Sequence, residues 1–340
     1  MFNRFARFVS IVGVILAGSV CVGCSSSDEG GAVVKVGAVY ATSIEEPWNG
    51  AIHSALLDAE AQGDIVYRYV DSVGYAPGAF EGAVRRMIAE ESPALVLGDS
   101  FGNDEGARSA ARDFPGIAFA FGNDGPPAAP NFSVFDNWIH EPAYLSGMLA
   151  GGLTKTNTVG IVGGYPVAEV NRLVNAFLAG ARAVNPAVEG RVTYLSSWYD
   201  PAGAARAVEE QIALGADVFF AERDGVIEAA AGSGLLSFGN IADQKALSPA
   251  TVAASSVWNM TPTVAHLIDG VRSGSYGAED LRLFSMMAAG GAELTAINRG
   301  VNGGIPAELA AEVERMRSAI IVGAVQVEVD ESVPAGAVIR

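Results

Sequence analysis

Cysteine is nearly absent: the 340 residues contain two, Cys21 and Cys24, both close to the N-terminus. Everything after Cys24 therefore folds without a disulfide, and a metal site built on thiolates is excluded there. Histidine is scarce as well. His53, His140 and His266 are scattered, so no transition-metal site is expected. Positive charge is the third shortage, with 21 Lys and Arg against 38 Asp and Glu and a formal net charge of −17. A polyanion would be repelled by such a chain, which argues against nucleic acid and anionic membrane surfaces as partners and for a neutral or cationic ligand. Long hydrophobic runs are missing after the first 23 residues, so nothing later is expected to span a membrane.

What is present begins with a leader pattern. Arg4 and Arg7 precede an uncharged run from Phe8 to Gly23, which is shorter than the roughly 20 residues of a spanning helix and reads as a secretory signal. Gly23 stands immediately before Cys24, an arrangement similar to a bacterial lipoprotein processing site, although Cys21 occupies the place where such sites usually carry leucine. The expectation is a signal peptide over residues 1–23, lipidation at Cys24, and a small polar tether over 24–32. Loss of Arg4 and Arg7 from the 21 basic residues would leave 19 against 38 acidic ones.

From Val33 onward, apolar runs alternate with amphipathic segments. Strands are expected at Val33 to Tyr40, Ile65 to Val70, Ala94 to Gly98 and Ile117 to Phe121, with helices at Trp48 to Gln62, Gly78 to Glu90 and Asn103 to Phe114 between them. A Pro-rich stretch, Gly125 to Pro130, interrupts the series, which then restarts with Val159 to Val162, a helix carrying Val170, Val174, Phe177 and Ala181 at helical spacing, and Val192 to Leu195. Strands this apolar, separated by helices, argue for parallel βαβ units covered on both faces. The chain thus reads as α/β with two lobes, each a parallel sheet flanked by helices: residues 33–125 plus 239–280 in lobe 1, and 131–238 plus 281–325 in lobe 2.

In such sheets ligands gather beyond the carboxyl ends of the strands. The residues there include Trp48 and Asn49, Ser100 and Phe101, Tyr165, Trp198 and Asp200, Asn240, and Trp258. Three of the four tryptophans sit beside turns at these ends, which suits a flat ligand with a polar edge. Phosphate is disfavoured, since Arg223 is the one cation in these loops and no Gly-rich cradle with lysine is present. Gly98-Asp99-Ser100-Phe101-Gly102 fits the G-x-S-x-G of a hydrolase nucleophile elbow, but no histidine lies in a loop suited to a triad. A secreted serine hydrolase using Ser100 is the alternative from another functional class.

The segments TKTNTVGIVGGYPVAEVNRLVNAFLAGARAVNP, SSWYDPAGAARAVEEQIALGADVFF and SVWNMTP resemble the basic membrane protein (PnrA-like) family of ABC-transporter substrate-binding lipoproteins. The resemblance implies a two-lobed periplasmic-binding-protein-like fold of type I, no catalysis and no cofactor. It also implies an extracytoplasmic place on a lipid anchor in the bacterial cell membrane, a monomer, a purine nucleoside, nucleobase or similar heterocycle as ligand, and ABC permease and ATPase subunits as partners. By position it implies stacking and hydrogen bonding by Trp48 and Asn49, and places Ser100, Phe101, Tyr165, Glu169, Trp198, Asp200 and Trp258 at the ligand. Gly239-Asn240-Ile241-Ala242-Asp243 departs from the family's Gly-x-Asp-x-Asp by an isoleucine where members hold ribose hydroxyls, which makes a free base as suitable as a nucleoside. Asn240 is the candidate replacement. A sensor lipoprotein of the same fold, presenting its ligand to a membrane receptor, is a further alternative.

Overall fold

The first strand, β1 (Val34–Val39), buries alternate residues against opposite helical layers, and its neighbours follow the same plan. The computed structural model describes residues 32–340; the leader, Cys24 and the tether up to residue 31 lie outside the described residues. The chain runs β1, α1 (Pro47–Ala61), β2 (Ile65–Val70), α2 (Ala79–Glu91), β3 (Leu95–Asp99), α3 (Asp104–Asp113), β4 (Ala118–Gly122) and β5 (Phe132–Phe135). These strands form a parallel sheet in the order β2-β1-β3-β4-β5. Val36, Ala38, Leu95 and Leu97 face a layer that includes Ile52 and Leu56 of α1, while Val39, Val96, Phe119 and Phe121 face Phe80, Val84 and Ala107 of α2 and α3.

A second series follows: α4 (His140–Leu153), β6 (Thr158–Gly163), α5 (Ala168–Val184), β7 (Glu189–Tyr194), α6 (Pro201–Ala213), β8 (Val218–Ala221), α7 (Val226–Gly232), β9 (Leu236–Ile241) and β10 (Val252–Trp258). After these come α8 (Thr261–Ser273), β11 (Ala292–Leu294), α9 (Ala307–Ile321) and β12 (Val338–Ile339). The second sheet has the order β11-β10-β9-β8-β6-β7-β12, parallel except for β11 against β10. Two parallel sheets covered by helices agree with the expected α/β class.

Two expected lobe boundaries need correction. Residues 132–135, assigned to the second lobe, form β5 and extend the first sheet beside β4. Residues 239–241 and 252–258, assigned to the first lobe, lie in β9 and β10 of the second sheet. An apolar run says that a strand is buried on both faces, but not which sheet edge receives it, and in both cases the chain adds one more strand before it crosses. The crossings fall at Asp136–Ile139, at Asn259–Met260, and between the short 3₁₀ turns near Met286 and β11. Helix α8, between the second and third crossings, packs on α1 and β1 as expected of the first lobe.

Helices α4 and α5 are joined unusually closely. A Cβ placed on Gly147 would lie 2.0 Å from Phe177 O, one on Gly151 2.2 Å from Ala181 O, and one on Gly180 1.9 Å from Tyr144 O. No side chain fits there, so glycine sets the separation. The end of the chain then closes the second sheet. Glu331 reaches the buried guanidinium of Arg172 (3.1 Å), Asn171 and Asn175 donate to carbonyls of residues 330–332, and β12 adds to the outer edge of β7.

Candidate functional site

On the first-sheet side, the turn after β1 is fixed by Asn49. Its Nδ2 donates to Thr42 Oγ1 (2.8 Å) and to the Thr42 and Ser43 carbonyls (3.3 Å each), and the side chain is fully buried. Glu46 caps α1 by accepting from Asn49 N (3.2 Å), and Pro47 opens the helix without losing a needed donor. Trp48 then projects beside the strand ends. Its ring centroid is 4.5 Å from that of Trp258 and 5.5 Å from that of Phe101, the latter edge-on at 83°. Gly122 at the end of β4 leaves room for it, since a Cβ there would stand 3.2 Å from the indole. Trp258 is 2% exposed, donates from Nε1 to Ser285 Oγ (3.1 Å) and backs Trp48 from behind.

The G-x-S-x-G segment has a structural explanation. A Cβ on Gly98 would lie 2.0 Å from Val39 O, so the close approach of β3 to β1 requires glycine. Ser100 is fully buried, donates to Gly122 O (3.1 Å) and accepts from Asn123 Nδ2 (3.1 Å). With its hydroxyl committed to the neighbouring strand end and no histidine bonded to it, Ser100 lacks the activated geometry of a nucleophile. Asp99 beside it is buried without a cation, and burial pushes its carboxyl up to about 7, with Glu46 and Asp136 adding to the shift.

On the second-sheet side, Tyr165 and Trp198 pair at 4.8 Å between centroids, and Gly164 lets the indole lie over the backbone. The guanidinium of Arg223 sits 5.2 Å over Trp198 and forms a two-point ion pair with Glu222, whose Oε2 also accepts from Gly164 N (2.9 Å). Burial pulls the Glu222 carboxyl upward against these bonds, while the pair keeps Arg223 charged. Glu169, in the first turn of α5, accepts from Asn137 Nδ2 at 2.5 Å and so ties α5 to the crossing over residues 136–139. Arg172 on the same helix pairs with Asp136, donates to Asn137 O (2.8 Å) and stacks 4.1 Å over Trp138. Asp200 caps α6 through Gly203 N (2.8 Å).

Between these two sides lies a small cavity of about 20 Å³, lined by Glu46 and Pro47 from the first and by Ala221, Glu222, Arg223, Asp224, Asn240, Ile241 and Gln244 from the second. Ile241 has φ 64°, a left-handed conformation that a β-branched residue adopts only under strain of about 1–3 kcal/mol. Buried polar atoms without a protein partner include Trp48 Nε1, Asn137 Oδ1, and both Nδ2 and Oδ1 of Asn240. Polar groups sealed from water without partners are rare in folded chains and point to a bound molecule or ordered water.

The expected residues therefore separate into groups. Trp48, Phe101 and Trp258 form one aromatic cluster, with Trp258 behind the other two. Tyr165 and Trp198 form a second, joined to the cavity by Arg223. Asn240 lines the cavity, whereas Asn49, Ser100 and Asp200 hold local backbone. Glu46, Asp99, Glu222 and Arg223 were not among the expected contacts. Their positions at strand ends were visible in the sequence, but pairing and burial across two sheets were not.

Comparison with known proteins matches residues 33–283 to the family model described as ABC transporter substrate-binding protein PnrA-like. A putative ABC transporter glucose-binding protein of Haloferax volcanii is 29% identical over 253 residues, 73% of this chain and 64% of that protein. A purine-binding protein of Brucella abortus is 28% identical over 225 residues, 65% of this chain and 63% of that protein. The matches thus span just under two thirds of these relatives' length. Among solved structures, a solute-binding protein of an ABC transporter system from Conexibacter woesei superposes with a TM-score of 0.71 at 24% identity, covering 87% of this chain and 99% of that one, which shows a shared fold.

Proposed function

The chain belongs to the PnrA-like family of ABC transporter substrate-binding proteins, and on that premise we propose that it captures a purine nucleoside, nucleobase or similar flat heterocycle between its two sheets and delivers it to a membrane permease. The support for this reading is the pair of aromatic clusters at the strand ends, Trp48 with Phe101 on the first sheet and Tyr165 with Trp198 on the second, together with the buried, unpartnered Nε1 of Trp48. An indole face supplies stacking that tolerates any planar ring, and the amide and carboxylate groups around it read the ring's edge.

Closure about the three crossings would bring the clusters onto the two faces of the ligand and create the shape that a permease recognises. The excess of acidic side chains suits an uncharged or cationic guest over a phosphorylated one. Lipid attachment at Cys24 would hold the receptor at the outer face of the membrane, as a monomer beside its permease and ATPase. Ile241, in place of a carboxylate, makes a free base at least as suitable as its riboside.

A second reading has its own support: the relative from Haloferax volcanii is named for glucose, and an aromatic face also accommodates the apolar face of a sugar. Titration of purines, pyrimidines, nucleosides and neutral sugars, followed by tryptophan fluorescence and melting temperature, separates the two. Purine-type ligands are expected to shift both signals. A response to sugars alone would refute the heterocycle reading.

A further inference from the structure

The carboxyl end of β3 carries a group of which the backbone uses only half. Asp99 is 7% exposed; its Oδ1 accepts from Phe101 N (3.1 Å), while Oδ2 has no hydrogen-bond partner among the described residues. A turn of this kind needs one acceptor, which asparagine supplies without a charge. The charge itself finds no cation. The groups that act on it are Glu46 from the turn before α1, Asp136 from the first crossing, whose carboxylate is held by Arg172, and Tyr75 from the loop after β2. Tyr40, just past β1, turns its hydroxyl to Tyr67 Oη (3.0 Å).

Aromatic rings surround this carboxyl. A Cβ on Gly122, opposite Asp99 on β4, would lie 3.2 Å from Trp48 Cζ2, 3.4 Å from Phe135 Cε2 and 3.5 Å from Asp99 Oδ1. Phe101, whose ring meets Trp48 edge-on, follows two residues later. An acceptor held beside rings that would stack on a planar guest, and given one donor where it has room for more, calls for a donor from that guest. A carboxyl kept in the interior against its own desolvation is the pattern of a functional group more than of a structural one.

Resting on the heterocycle reading above, we propose that Asp99 is a specificity-determining residue, whose ionised carboxylate accepts an N–H of the planar guest held at Trp48 and Phe101. An ionised carboxylate only accepts, so a guest edge without N–H would set lone pairs against lone pairs. Binding therefore draws on the charged form: the neutral carboxyl gives its proton to the solvent, and the guest N–H takes that proton's place. Burial holds the carboxyl at about 7 in the free protein. Its ionised fraction then rises from about one tenth at pH 6 to about nine tenths at pH 8, and affinity should rise about tenfold with it.

Calorimetric titration of the purified protein with adenine, which carries N–H groups and does not itself titrate over this range, tests the proposal at pH 6 and pH 8. Binding is expected to be about tenfold tighter at pH 8, and at pH 6 the heat should vary with the ionisation enthalpy of the buffer, reporting about one proton released. Asp99→Asn keeps an acceptor for Phe101 N and loses the buried charge. It should bind adenine about tenfold or more weakly at pH 8, equally at both pH values, and without proton release. Affinity that is flat or falls with pH in the unaltered protein, proton uptake on binding, or a pH dependence that survives in Asp99→Asn would overturn the proposal while leaving the heterocycle reading intact. Failure of adenine, hypoxanthine and their nucleosides to bind at either pH would overturn both.

Discussion

Asp99 illustrates how one residue can carry a cost that the rest of the fold absorbs. Burial raises its carboxyl from 3.8 to about 7, so the folded chain holds this proton more tightly than the unfolded chain does. The contribution favours the fold below about pH 4 and is lost progressively as pH rises toward 7, above which the buried charge is a constant penalty. Asp99→Asn keeps an acceptor for Phe101 N and removes the charge. It should therefore stabilise the protein at pH 8, by on the order of 1–4 kcal/mol, and flatten the fall in stability between pH 4 and 7 seen in urea titrations. At this scale the sequence put Trp48 beside turn residues after a strand, but not its packing on Phe101 and Trp258, which come from distant segments. It told less about Trp258, whose identical setting conceals a buried ring bonded to Ser285. Asn240 was legible as a strand-end amide, but its lack of partners depends on groups from both sheets.

Among elements, the α4–α5 pair makes the sharpest demand on sequence. With Gly180 Cα so near Tyr144 O, Gly180→Ala must push the helices apart, and a loss of roughly 3 kcal/mol or more is expected by chemical denaturation despite alanine's better helix propensity. The same substitution at Gly232, where nothing stands within 4 Å of a new Cβ, should be near neutral or slightly stabilising. Arg172 supports a different element, the Asp136–Ile139 crossing. Arg172→Ala strands Asp136 in the interior and frees Glu331, and should cost about 3–5 kcal/mol. Most strands and helices were readable to within a residue or two because apolar runs and helical spacing are local signals. The sheet to which β5 and β10 belong was not, nor was β12, whose two residues pair only because the tail is guided there by Asn171, Asn175 and Arg172.

For the whole molecule, two sheets are joined at three crossings, and the aromatic clusters lie at strand ends of each sheet. Under the proposed reading, hinge closure around a planar guest would account for three features together: paired aromatic clusters, unpartnered polar atoms at the seam, and an isoleucine held at positive φ beside them. The fold class could be inferred from alternating patterns, and the division into lobes from the restart after the Pro-rich stretch. The geometry of the seam could not, because it joins residues more than 170 positions apart, from Glu46 to Asn240.

The central claim about the molecule is that Trp48 forms one wall of a site for planar rings. Isothermal titration of adenine and of glucose into the unaltered protein and into Trp48→Ala decides it. Saturable binding of adenine and none of glucose is expected, with adenine weakened about 5- to 150-fold in the variant, the worth of one stacked ring. Glucose binding in place of adenine, or adenine affinity indifferent to loss of the indole, would contradict it.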